Sequence, residues 1–361
     1  MNKTELLQIR LQRQQISEAK FGGVKELVHW MGAMQAQDYV MAKWAIGIRI
    51  PGSTDNIVES ALNEGNIIRT HLLRPTWHLV SADDIYWMLE LTAPHIKTSL
   101  KSRHKQLEIT ESVVTKSKNI FLNALSKNGH QTRDLLIKEL EKSGINTKEN
   151  RASHLFLMAE LDGLICSGIS SAKKQTFALL AERVPGKRLL KRDEALAELA
   201  MRYFSSHGPA TLYDFIWWSG LPARDARKAL DILNSQLTST QIDTQIYWFD
   251  PNHAALKSAS EQVHLLPAYD EFIISYKDRS ACLMQEYVKK TISSNGMFWP
   301  VIIVDGKVIG LWKRTIKKDT VIFGIDLFQS FSEKIKSLIE RRVGEFGAFI
   351  NKYPQIIYLN N

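Results

Sequence analysis

Between Thr110 and Leu180 the chain reads TESVVTKSKNIFLNALSK (110–127), TRDLLIKELEKSG (132–144), TKENRASHLFLMAELDG (147–163), then LICSG (164–168) and QTFALL (175–180). Apolar residues recur every three or four positions through the first three segments, which predicts amphipathic helices. The two short runs that follow are strand-like and flank a Lys173-Lys174 turn. Helices followed by a two-stranded hairpin is the order of a winged helix, a helix-turn-helix with a β wing.

The same order returns downstream as EALAELAMRYFSSHG (194–208), TLYDFIWWSG (211–220), PARDARKALDILNSQ (222–236) and the strand-like QIYWF (245–249). Thr211 is placed to cap the second of these helices, Gly220 to end it and Pro222 to open the next. A less regular copy precedes both: YVMAKWAIGIRI (39–50) and STDNIVESALNEG (53–65) read as helices and IIRTHLLRPTWHLV (67–80) as a wing. Ser81 with Asp84 reads as a capping box for the helix after it. The expected fold class is therefore α+β, with three tandem winged-helix motifs over 1–105, 106–188 and 189–262. From 263 to 361 the texture turns to strands: IIVDGKVIGLWKR (302–314) reads as a hairpin on an Asp-Gly turn, followed by TVIFGIDLF (320–328), a helix over 331–351 and a closing strand IIYLN (356–360).

At 361 residues with 44% hydrophobic and 24% charged positions, the chain has the composition of a globular protein with several modules. No apolar run is long enough for a membrane span and the polar N-terminal stretch lacks a signal-peptide core, so a cytoplasmic location is expected. The two cysteines, Cys166 and Cys282, lie far apart without ligand spacing, which predicts neither zinc nor a disulfide. No Walker loop, dinucleotide fingerprint, HExxH or serine elbow occurs, so neither metal nor cofactor is expected. Forty-seven basic against 38 acidic residues, a net charge of +9, favour a polyanionic partner.

One short stretch, MQAQDY (34–39), sets Gln35 and Gln37 two positions apart. Glutamine is a poor acid, base and nucleophile, so such a pair suits chemistry that needs oriented dipoles. Locally extended backbone would point both amides to one side and Ala36 to the other. They could equally cap a helix end or bond backbone in a bend.

QAQ at 35–37, RTHLLRPTWHL at 69–79, LPAYDEFIISYKDRS at 266–280 and VDGKVIGLWKR at 304–314, in that order, resemble the AlkZ-like family of winged-helix DNA glycosylases across the whole chain. The resemblance implies excision of alkylated purines, unhooking of interstrand crosslinks, and a barrel-like form for the C-terminal β-rich domain. The family's signature, Gln, an apolar residue, Gln, is matched by Gln35, Ala36 and Gln37, which implies that the two glutamines are catalytic. Relatives in the wider family carry an acidic residue at the second position, where this chain keeps Gln37. One amide would stabilise the oxocarbenium-like sugar and the other would orient water. A purine alkylated at N3 or N7 is already cationic and leaves readily, so no general acid is required.

Asp38 could activate water or N-cap the helix that follows it, and the cap is favoured. In RTHLLRPTWHL the residues Arg74, Thr76 and His78 alternate with Leu73, Trp77 and Leu79, as in a strand with one wet and one buried face. Arg69 and Arg74 are then candidate phosphate contacts, and His78 either bonds a flipped nucleotide or water or is a satisfied structural histidine. Basic clusters that include Lys173, Lys174, Arg188, Lys313 and Arg314 fall on wings and linkers, which suits phosphate binding with little base reading. An Asp278–Arg279 neighbourhood is read as holding the C-terminal domain to the third motif, and Trp217 and Trp218 as core. The expected partner is duplex DNA, damaged or crosslinked, bound by a monomer. The alternative is a non-catalytic regulator using the same helices, usually as a symmetric dimer on palindromic sites.

Overall fold

A computed structural model describes residues 1–171, 174–252 and 261–359 and shows a mixed α+β chain. The N-terminal part runs α1 (Lys3–Arg13), α2 (Val24–Met31), β1 (Ala33–Gln35), α3 (Tyr39–Arg49), α4 (Asp55–Asn63), β2 (Ile67–Leu72), β3 (Thr76–Ser81) and α5 (Ile85–Gln106). The next part runs α6 (Glu111–Asn128), β4 (Gln131–Thr132), α7 (Arg133–Lys142), α8 (Arg151–Leu161), β5 (Ile165–Ser167), β6 (Thr176–Leu179) and α9 (Leu180–Arg183). Lys173, which the sequence sets between β5 and β6, lies outside the described residues. The third part has α10 (Arg192–Ser206), α11 (Leu212–Ser219), α12 (Ala223–Ile232) and the hairpin β7 (Thr238–Ile242) and β8 (Gln245–Phe249). Last come β9 (Val263–Leu266), α13 (Glu271–Ile274), α14 (Val288–Thr291), β10 (Val301–Val304), β11 (Lys307–Ile316), β12 (Thr320–Leu327), α15 (Glu333–Phe349) and β13 (Tyr353–Tyr358).

Several expected boundaries are held by the residues that predict them. The Thr211 hydroxyl accepts from Asp214 N while the Asp214 carboxylate accepts from Thr211 N, and Gly220 ends α11 in the left-handed conformation. In the β10–β11 turn Asp305 and Gly306 both have positive φ, 48° and 82°, as the Asp-Gly pair requires. The Ser81–Asp84 box does not form: Asp84 makes no capping bond. Its buried carboxylate instead accepts from Trp87 Nε1 and pairs with His29, Arg188 and Arg202. The closing strand begins earlier than expected, at Tyr353, and Asn360 lies outside the described residues.

The C-terminal sheet corrects the barrel-like expectation. Its order is β13-β12-β11-β10-β9, antiparallel except for β12–β13, and the first and last strands do not pair with each other. α15 fills one face with Ile339, Val343 and Phe346 against Trp312 and Phe323, so burial comes from a helix rather than from closure.

The small sheet β1-β3-β2 lies between two cores. Met34, Ala36, Ile67 and Leu79 join a core shared with α3, α15 and the C-terminal sheet. Ala33, Ile68, Leu72 and Val80 join a second core with α10, α11 and α12. Both faces are therefore buried, and the strand expected to have a wet face has none at Thr70 and His78, which are fully enclosed. The stretch from Leu107 to Leu179 keeps a core largely its own, which Trp77 joins from β3. Among the described residues no helix is long and apolar enough to cross a membrane.

Candidate active site

β1 ends on Gln35, whose register partner is His78, and His78 in turn faces Thr70 on β2. Opposed residues of neighbouring strands share a face, so Gln35, His78 and Thr70 form one polar row turned toward the third part of the chain. After Gln35 the Ala36 N–H still donates to Trp77 O at 2.7 Å, and only then does the chain bend into α3. Gln35 is 6% exposed, whereas Gln37 is exposed and, among the described residues, its Oε1 receives only the Trp77 N–H, at 3.5 Å. The pair thus joins a buried amide to an exposed one. Asp38 caps α3, accepting from Val40 N and Met41 N.

Three side chains fix Gln35 and its strand. The Glu271 carboxylate accepts the Gln35 backbone N–H at 2.5 Å. Arg74 Nη2 donates to Gln35 Oε1 at 2.8 Å and Nη1 to Trp217 O at 3.4 Å. Arg69 Nε donates to Ala36 O at 3.0 Å, its Nη1 reaches Gln175 Oε1 at 2.9 Å, and its guanidinium lies 3.9 Å from the Trp77 ring centroid. Arg69 and Arg74, expected to reach outward to phosphate, are turned inward. Burial pulls the Arg69 pKa down to about 10 and lowers that of Arg74, an effect the Glu271 carboxylate opposes.

Gly220 permits this seating. A Cβ there would stand 2.4 Å from Leu73 O and 3.2 Å from Arg74 Cγ, so the turn carrying Arg74 can rest against the end of α11 only if that position is glycine.

Glu271 sits at the start of α13 and is buried. Burial opposes its charge, but His207 3.5 Å away, the Ser275 hydroxyl and the Gln35 N–H outweigh that and hold the carboxyl at about 2. Next to it, Asp270 takes both Arg49 Nη atoms, at 2.8 and 2.9 Å, in a fully buried fork that ties α3 to the start of α13. Pattern reading did not assign these roles. The Asp270-Glu271 dipeptide, with no outward partner in sight, was the available signal. The attachment to α11 also differs in detail: Lys277 N and Asp278 N donate to Asp214 Oδ1, while Arg279 lies over the Trp217 and Phe298 rings at 5.3 and 5.0 Å. Trp218 is core as expected; Trp217 is half-buried beneath these cations.

His78 donates Nδ1–H to Thr76 O at 2.9 Å, because that carbonyl can only accept. Its Nε2 is thereby a buried acceptor without a partner among the described residues. Burial lowers its pKa from the ordinary 6.5 to about 3, with Arg74 adding to the effect. The depressed value means that between pH 6.5 and 3 the unfolded chain binds a proton that the folded chain refuses, so stability falls as pH falls through that window. Thermal melting from pH 7 to 4 should show this decline, and His78→Gln should make it shallower, the buried His264 and His207, whose pKa values are also lowered, supplying part of the rest; an unaltered slope would show that His78 is not among the groups titrating.

The remaining basic candidates divide by exposure. Lys174 and Lys313 are exposed, and Arg188 pairs with Asp84 at 3.2 Å and Glu198 at 3.7 Å from an exposed position. Arg314 is half-buried, lying 5.6 Å from the Phe346 ring centroid and touching the Met41 sulfur. Both cysteines are buried and free in separate cores, and burial pushes their thiols up to about 12 for Cys166 and about 11 for Cys282. Among the described residues, no group of three or more His, Cys, Asp or Glu side chains is placed to hold a metal ion. A cavity of about 660 Å³, lined by residues such as Trp44, His264 and Arg342, contains none of the amide-site residues.

The chain is similar to known proteins along nearly all of its length. It is 22% identical over 326 residues to an interstrand DNA cross-link repair glycosylase of Streptomyces sahachiroi, covering 84% of this chain and 85% of that one. The solved structure of the Streptomyces sahachiroi DNA glycosylase AlkZ superposes with a TM-score of 0.83 at 19% identity, covering 99% of this chain and 100% of the other, so the two share a fold. The model of the family described as DNA glycosylase AlkZ-like matches residues 28–349, and the chain therefore belongs to the AlkZ-like DNA glycosylase family.

Proposed function

We propose that this DNA glycosylase hydrolyses the N-glycosidic bond of cationic, N3- or N7-alkylated purines in duplex DNA, and unhooks interstrand crosslinks built from such adducts. The observation that carries the reading is the amide pair, Gln35 buried and fixed by Arg74, and Gln37 exposed and lightly held. The C1′–N bond breaks with its electron pair passing to the purine, which neutralises that ring's charge. The oxocarbenium-like sugar is stabilised by one amide dipole of the pair, water adds to C1′, and its proton leaves to solvent. Asp38 is occupied as a cap and serves the geometry of α3. His78 Nε2 offers a buried acceptor to a water beside Gln35.

The three helix-rich parts, with domain limits near 105, 188 and 262, act in this reading as tandem winged helices ahead of the C-terminal sheet. A monomer, cytoplasmic in location, grips damaged duplex through exposed cations such as Lys174 beside β6, Arg188 in the segment before α10 and Lys313 on β11. Such binding is electrostatic and weakens with salt, with a log-log slope near −0.9 per phosphate neutralised. Replacing Lys173 and Lys174 together by alanine should make the slope shallower by about 1.8 if each meets one phosphate. An unaltered slope would take that wing out of the interface.

Function is tested by incubating the protein with duplexes carrying one 7-methylguanine or one nitrogen-mustard crosslink, then cleaving abasic sites with alkali. Strand scission at the monoadduct and separation of the crosslinked strands are expected. Salt-sensitive binding with every lesion left intact would instead support a non-catalytic regulator.

A further inference from the structure

We propose that Arg74 is a positioning residue that locks the Gln35 amide with its NH2 group, rather than its carbonyl, offered to the bound nucleotide. The inference rests on the proposed glycosylase reading and assigns a division of labour within it.

The orientation follows from chemistry. A guanidinium has only donors, so the Gln35 atom 2.8 Å from Arg74 Nη2 must be Oε1; turned over, the amide would set N–H against N–H. Arg74 cannot swing away freely. Its Nη1 reaches Trp217 O, and its backbone lies in a tight turn in which Arg74 N donates to Leu72 O at 2.6 Å and Thr76 N to Arg74 O at 2.7 Å. Gly220 lets that turn pack against α11. Gln35 is held at its other end by Glu271, which takes the backbone N–H, and by the pairing of β1 with β3. The side chain is thus fixed at Oε1 and its backbone at N. The NH2 group is the remaining free end, with no hydrogen-bond partner among the described residues.

A cation against Oε1 makes that oxygen a poor stabiliser of further positive charge and polarises the amide N–H groups, strengthening them as donors. Gln35 therefore serves an acceptor. The departing purine provides one, because its ring nitrogens gain electron density as the glycosidic bond breaks. Gln37, exposed and lightly held, keeps its carbonyl available to the oxocarbenium sugar.

Gln35→Glu separates the two assignments. It keeps an oxygen for Arg74, as an ion pair, and replaces the NH2 donor by a second oxygen. Single-turnover excision of 7-methylguanine should fall at least tenfold; a rate constant equal to or above that of the unaltered protein would overturn the proposal. Arg74→Met should likewise lower the rate constant at least tenfold while leaving the Kd for undamaged duplex within about twofold, and Arg74→Lys, which retains a donor, should recover much of the rate. If Arg74 merely supports folding, the burst amplitude falls and the rate constant of the active molecules does not, which overturns the proposal. If Arg74 holds phosphate, Kd rises and the salt slope shallows, which also overturns it. The anchor is read independently of catalysis from the side-chain 15NH2 resonances of Gln35, identified by their loss in Gln35→Ala. Arg74→Met should shift them even in a protein that releases no base, so failure of the glycosylase reading and failure of the anchor are told apart.

Discussion

Gln37→Ala is expected to lower single-turnover excision of a cationic purine roughly a hundredfold, the cost of about 3 kcal/mol when one preorganised dipole is removed from a charge-developing transition state. The same substitution should leave thermal stability and affinity for undamaged duplex unaltered. Gln37 is exposed and receives one long hydrogen bond, so nothing buried loses its partner. Gln35→Ala should be as damaging to excision but not as silent in folding. It strands Arg74 Nη2, on a guanidinium whose Nε is already buried without a partner, and an unsatisfied buried donor costs ~1–3 kcal/mol. Excision and melting curves measured side by side on both variants, with Asp38→Ala as a third, separate the contributions. Equal destabilisation by the two glutamine changes, with activity tracking the folded fraction, would make the pair structural.

The largest stability effect should come from a residue outside the amide pair, the neighbour of Glu271 in the chain. Asp270→Asn leaves the Arg49 guanidinium, wholly enclosed and with its other bonds going to Gln14 and Ala45, without its counter-charge. Removing one member of a buried ion pair costs ~3–5 kcal/mol, because the surviving charge stays desolvated. Urea denaturation should show that loss, while Lys336→Ala, which breaks the surface pair with Glu333, should produce no measurable change. The molecules that remain folded should retain the unaltered excision rate constant. A loss of less than 1 kcal/mol in Asp270→Asn would mean that the fork in the fold contributes little.

Local features of this fold were legible because their causes are local. Thr211, Gly220 and the Asp305-Gly306 turn act within a few residues of themselves, and Asp38 caps the helix that begins at the next position. The helix order of the second and third parts follows from periodicity of the same short range. What escaped was set at long range. Glu271 meets Gln35 across 236 positions and Asp270 meets Arg49 across 221, distances over which a side-chain pattern carries no signal. Arg69 and Arg74 illustrate the cost: an arginine aimed at a phosphate and one aimed at a buried carbonyl are spelled alike, and only the enclosing cores decide between them. The alternation around His78 was likewise a correct strand with a wrong wet face, because a two-sided sheet and a half-exposed one share the same period. The open C-terminal sheet could not be inferred either, since closure depends on where α15 packs.

In the proposed reaction an amide pair without a general acid releases a cationic purine. Its most direct test is quantitation of free 7-methylguanine and abasic sites after a single turnover on a defined duplex, with Gln37→Ala run in parallel at matched DNA occupancy. Equimolar free base and abasic sites from the unaltered protein, and roughly a hundredth of that rate from the variant, is the predicted result. Release at the same rate from both proteins, or from neither, would contradict it.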